Sequence, residues 1–127
     1  MQKWWWVGLV VGWTMIGQRG EASVLIAQAS CGGNSNIEML QCARERYEAS
    51  DRQLNQVYKQ VRSKIGASEQ ELLIDAQVAW SKYRDQGCEM ETYGSRGASG
   101  HRGFKNACLE RVTHVRSMEL EAYLRNR

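Results

Sequence analysis

The sequence predicts an all-α protein, a small antiparallel three-helix bundle stapled by two disulfides. Proline is absent from its 127 residues, and three long segments carry apolar residues at helical spacing with glycines between them. Four cysteines, at 31, 42, 88 and 108, all follow an apolar N-terminal stretch. In an exported chain such cysteines are oxidised by default.

The N-terminal stretch sets the domain boundary. Met1-Gln2-Lys3 is a short basic start, and Trp4 to Gly17 is a run of 14 apolar or small residues. A membrane span needs about 20, so the run reads as a secretory signal, with cleavage after Ala22 or Ala29. An uncleaved anchor is the alternative, helped by Trp4, Trp5 and Trp6, because tryptophan favours the membrane interface. A lipid-anchored start is weaker: Gln28-Ala29-Ser30-Cys31 lacks an apolar residue three before the cysteine. Residues 1–29 are thus assigned to a signal peptide and short leader, and 30–127 to one helical domain with one core. After cleavage the protein is expected to be periplasmic or secreted and free of the membrane. Removing Lys3, Arg19 and Glu21 takes the formal charge from +3 to +2 (15 basic against 13 acidic residues). That balance lacks the basic stripe of a nucleic-acid-binding domain.

The first helix is expected from about Asn36 to Ile65. Ser35-Asn36-Ile37-Glu38 has capping-box spacing, and Ile37, Leu40, Tyr47, Leu54, Tyr58, Val61 and Ile65 share one face. Gly66 follows as a left-handed C-cap. The second opens with another capping box, Ser68-Glu69-Gln70-Glu71. It carries Leu72, Leu73, Ala76, Trp80 and Tyr83, and stops near Gly87. The three-residue connection Gly66-Ala67-Ser68 makes these two helices antiparallel neighbours. The third runs from about Phe104 to Arg125, with Leu109, Val112, Leu120, Tyr123 and Leu124. Between the last two lies a loop, Glu89 to Gly103, with four glycines in 15 residues.

An up-down-up path gathers the four cysteines at one end. Cys42, about 160° around its helix from Leu40, faces away from the core and can meet Cys31 as the preceding segment folds back. Cys88 and Cys108 bracket the glycine-rich loop. Four cysteines allow three connectivities, and spacing alone does not choose between them. Neither a Cys-x-x-Cys nor a Cys-x-x-Cys-His is present, and the spacings match no zinc pattern. His101 and His114 make a weak ligand set, so no metal or cofactor is expected.

Polar residues interrupt the apolar stripes. Asp51 shares the face of Leu40, Leu54 and Tyr58; Thr113 and Arg116 share that of Leu109 and Leu120; Arg84 flanks Trp80 and Tyr83. Buried charges must pair, so Asp51, Arg84, Thr113 and Arg116 are read as a structural network that fixes helix register. They lack a nucleophile, second carboxylate or histidine on the same face, which argues against a catalytic acid beside an anion-binding arginine. Glu89 and Glu91 have the look of paired glycosidase carboxylates, but acids at a helix end are usually solvated surface. The chain is not expected to be an enzyme.

The same positions carry a family resemblance. Asp51-x-x-Leu54-Asn55-x-x-Tyr58, then Ala76-Gln77-x-x-Trp80-x-x-Tyr83-Arg84-Asp85-x-x-Cys88, then Cys108-Leu109-x-x-x-Thr113-x-x-Arg116 resembles the lysozyme inhibitor LprI N-terminal domain family, over Cys31 to Tyr123. The resemblance implies an exported helical protein with Cys31–Cys42 and Cys88–Cys108 disulfides. It also implies a protein partner, lysozyme, bound and inhibited by protein–protein contact. The contact is expected at a flexible loop held by the second disulfide, through Tyr93, Arg96, His101 and Arg102, whose basic groups would meet active-site carboxylates. The alternative is an envelope binding or scaffold module that recognises another exported protein without inhibiting lysozyme.

Overall fold

The computed structural model describes Cys31 and residues 35–127. The expected signal segment and both cleavage positions lie outside those residues. The described chain forms three helices, α1 (Asn36–Lys64), α2 (Ala67–Glu91) and α3 (His101–Arg125), with a 3₁₀ turn at Tyr93–Ser95. No strand occurs among the described residues.

Helix α1 starts as its sequence specifies. Ser35 is extended (φ −112°, ψ 148°) and its hydroxyl accepts the Glu38 amide at 3.2 Å, which satisfies one of the free donors of the first turn. Its end differs from expectation. Gly66 has φ −76° and ψ 171°, an extended conformation open to any residue, and is not a left-handed cap. Gln70 instead reaches back, its side-chain amide donating to the Arg62 and Ile65 carbonyls at 3.1 Å each. Because α2 begins at Ala67, Ser68 already lies within it and does not serve as its N-cap.

Helix α2 also runs past Gly87 to Glu91. A β-carbon at Gly87 would meet nothing within 4 Å, so glycine there answers no packing demand and is simply tolerated. Thr92 closes the helix, its hydroxyl donating to the Cys88 carbonyl at 2.7 Å. Helix α3 begins at His101, three residues before the expected Phe104. The inter-helix loop therefore shrinks to 92–100. Gly97, at φ +81°, is its one left-handed residue, a conformation glycine adopts without penalty.

Cross-helix pairs define the direction of each helix. Along α2 and α3, Glu69 meets Tyr123 and Arg127, Gln77 meets Arg116, Arg84 meets Thr113, and Cys88 is bonded to Cys108. Those two helices are antiparallel. Along α1 and α3, Leu40 faces Gly103 and Arg46 pairs with Glu110, so the first and third helices run parallel and packed together. Small α3 residues line the inside of the bundle. Thr113 and Ser117 are wholly buried, and a β-carbon at Gly103 would lie 3.1 Å from the Leu40 side chain.

The core has two parts. Leu54, Val57, Val61, Ile65 and Leu120 form the lower cluster, with Tyr58, Leu73, Trp80 and Leu124 against it. Cys88, Cys108 and Leu109 form the upper one, with Tyr47 and Val112. Val57 joins this core although it fell outside the expected stripe. Ile37, Leu72 and Tyr83, expected on the stripes, are largely exposed. Both disulfides follow the pairing implied by the family resemblance. The Cα atoms of Cys31 and Cys42 are 5.4 Å apart, and those of Cys88 and Cys108 5.7 Å.

Candidate partner-binding end of the bundle

The N-terminal turns of α1 and α3, the last turn of α2 and the 92–100 loop share one end of the bundle. The loop is a built structure. Ser95 donates its hydroxyl to the Thr92 carbonyl at 2.8 Å and also lies 2.9 Å from His101 Nδ1. The Ser95 hydroxyl thus ties the loop to the first turn of α3. Amides of Ser95, Arg96, Ala98 and His101 close successive turns.

Charged side chains clamp this loop from both sides of the buried Cys88–Cys108 disulfide. Glu89 pairs with Lys105 and, at 3.2 Å, with Arg96, while Glu91 accepts from Arg111 at 2.6 Å. The Arg96 guanidinium lies 4.6 Å from the centre of the Tyr93 ring. The Lys105 hydrogen bond, then that of Arg96, holds the Glu89 carboxyl below its ordinary value of 4.5. A depressed carboxylate stabilises the fold above its unfolded pKa, and that contribution fades as pH falls through the folded one. The clamp is therefore expected to be intact at neutral pH and to open below the ordinary glutamate range. Side-chain NMR shifts of Arg96 and Lys105 should report one acid transition, absent in Glu89→Gln.

The four loop residues thus divide. Arg96 and Tyr93 hold each other, and His101 is tied to Ser95 in the first turn of α3. Arg102, also helical, is exposed and makes no ion pair among the described residues. Tyr93 remains 65% exposed, free to present its ring edge. Beside the loop runs an apolar groove of about 270 Å³ between α1 and α3, walled by Met39, Leu40, Ala43, Phe104 and Ala107, with Cys31 and the Arg46–Glu110 pair along it. The sequence reading missed both clamp and groove. The clamp had a signal: acids one and three residues after Cys88, and cations three residues either side of Cys108. The groove had none, because it depends on how α1 and α3 meet.

A family model described as lysozyme inhibitor LprI matches residues 27–120. The chain belongs to the lysozyme inhibitor LprI family. A relative is an uncharacterised protein of Rhizobium meliloti (strain 1021), 32% identical over 100 residues, covering 68% of this chain and 72% of its own. No solved structure matches the chain.

In this LprI-family chain the four polar residues expected to form one network divide into two groups. Arg84, with only 12% of its side chain exposed, lies 3.7 Å from Asp51 and donates to Asp85 at 2.9 Å and to Thr113 at 3.5 Å. Its guanidinium also lies 5.0 Å from the Trp80 ring centre and 5.6 Å from that of Tyr47. Burial raises the Tyr47 hydroxyl above its ordinary value, against the pull of Arg84. Arg116 sits apart, donating to Gln77 at 3.2 Å and pairing with Glu119 at 3.0 Å. No hydrogen bond or ion pair joins Arg116 to Asp51 among the described residues, because the register of α2 against α3 brings Thr113, not Arg116, level with Arg84.

Both disulfides fit an oxidising compartment. No described helix is long and apolar enough to cross a membrane.

Proposed function

We propose that the protein acts outside the cytoplasm as a lysozyme inhibitor, binding the hydrolase by protein–protein contact through the loop end of its bundle. The match of residues 27–120 to the lysozyme inhibitor LprI family carries this reading. Two disulfides and the apolar run at Trp4 to Gly17 support export, with the leader removed after Ala22 or Ala29 into the periplasm or medium. On this reading the protein is a binder and not a catalyst.

The geometry supports the loop end as the contact. A preorganised loop loses little conformational entropy on binding, and here the disulfide and the Glu89 clamp supply that order. Tyr93, Arg96, His101 and Arg102 lie in or beside it, and tyrosine and arginine are the residue types that carry binding energy at interfaces.

The test is inhibition of purified lysozymes of several types by the oxidised protein. At least one should be inhibited stoichiometrically. Arg96→Ser with Arg102→Ser should weaken that inhibition by roughly tenfold or more, the scale of an interface hot spot. Unfolding free energy should change by less than about 1 kcal/mol, since exposed ion pairs contribute little. Unchanged inhibition would move the contact surface to the helices, and no inhibition of any lysozyme would end the inhibitor reading.

A further inference from the structure

We infer that a cleft flanked by Arg44 and Arg102 is the seat of a carboxylate side chain from the partner protein. This deepens the proposed function and rests on it for the identity of the partner, since lysozyme active sites present carboxylates. The cleft, about 310 Å³ in volume, lies between the first turns of α1 and α3 and is lined by Ile37, Leu40, Gln41, Arg44, Arg102 and Asn106.

Three observations favour this ligand. First, the two guanidinium groups come from different helices and are sparsely occupied. Arg44 has a single ion pair, to Glu48 at 3.8 Å, with both side chains more than half exposed. Arg102 has none among the described residues. By contrast Arg46, Arg84, Arg96, Arg111 and Arg116 are all engaged closer than this pair. Arg52, Arg62 and Arg125 also lack an ion pair among the described residues, but they do not line this cleft. Guanidinium groups of this kind bind carboxylates in charge-assisted, often bidentate geometry.

Second, the cleft is apolar as well as basic. Ile37, 76% exposed, and Leu40 line it beside the arginines. An exposed isoleucine next to two cations suits an anion carried on a short aliphatic stem, such as a glutamate side chain, better than a bare inorganic ion. Third, the surroundings exclude a polyanion. Glu38, Glu45 and Glu48 lie on the same helix within two turns of Arg44, so an extended phosphate backbone would meet repulsion where it needs a basic stripe. A single carboxylate needs only the two guanidinium groups, Arg44 exchanging its 3.8 Å pair with the exposed Glu48 for the incoming group.

The probe is N-acetyl-glutamate N-methylamide, titrated into the oxidised protein while the side-chain Nε–Hε NMR signals of its arginines are followed. Saturable shifts at Arg44 and Arg102 are expected, absent with the neutral glutamine counterpart, and weakened at Arg102 in Arg44→Gln and at Arg44 in Arg102→Gln. Shifts of equal size and affinity with inorganic phosphate would overturn the seat as a site for carboxylates on a stem. No saturable shift at either arginine would overturn it altogether.

A second arm separates this inference from the lysozyme reading. The double variant, Arg44→Gln with Arg102→Gln, should inhibit lysozyme roughly tenfold less than the parent, a loss of about 1.4 kcal/mol, with an unchanged melting temperature. If the parent inhibits no lysozyme but the titration saturates, the seat stands and its partner is another acidic protein. If inhibition survives undiminished in the variant and the titration is silent, the seat falls and the inhibitor reading stands.

Discussion

Replacing Cys88 and Cys108 together by serine is expected to cost about 3 kcal/mol of unfolding free energy from loop closure alone. The bond closes a loop with a sequence separation of 20 and leaves both residues essentially buried in the upper core cluster. Serine there also places hydroxyls among Leu109, Val112 and Tyr47, where unpaired polar groups carry a further penalty. The Cys31–Cys42 bond closes a shorter loop, separation 11, and both its cysteines are only partly buried. Its removal should therefore cost less. Chemical denaturation of the two double variants beside the parent measures both. Equal losses would mean that burial in the upper cluster adds nothing to the second disulfide.

Arg84→Ala is the second large effect, expected at about 2–3 kcal/mol from lost ion pairing, cation–π contacts and packing. The charge neutralises nothing deeply buried, since Asp51 is 44% exposed on its side chain and can turn to water. Most of the loss comes from the guanidinium's contacts with the Tyr47 and Trp80 rings, which join α1 to α2, and from Thr113, which loses its donor. Arg84→Lys should recover little, because an ammonium cannot span the same partners. Arg116→Ala should cost only roughly 1 kcal/mol, as its carboxylate partner Glu119 is 56% exposed. An Arg116 loss as large as that of Arg84 would contradict the division of the polar residues into two groups.

The three helices were legible because each carries apolar residues at helical spacing, and the Ser35 cap because it is a local contact. The failures lie where distant residues decide. Gly66 and Ser68 read as cap residues from their immediate neighbours, yet the α1 terminus is covered by Gln70 from the next helix. Gly87 read as a stop, since glycine in a helix costs about 1 kcal/mol. The helix continues through it because Cys88 is locked to α3 and Thr92 supplies the closing hydrogen bond. The four polar residues were visible as charges on apolar faces. Their partners depend on helix register, which no single stripe encodes, so Arg116 is grouped by sequence with residues it does not meet. The Arg44–Arg102 cleft was harder still. It exists only because α1 and α3 run parallel and bring residues 58 positions apart to one surface.

The most direct test of the central claim is an amide NMR footprint of the oxidised protein with an inhibited lysozyme. Perturbation is expected at the loop end, over Tyr93 to Lys105 and the first turns of α1, with Ile65, Gly66 and Glu69 at the opposite end unaffected. A footprint centred on that opposite end, or no perturbation by any lysozyme, would contradict it.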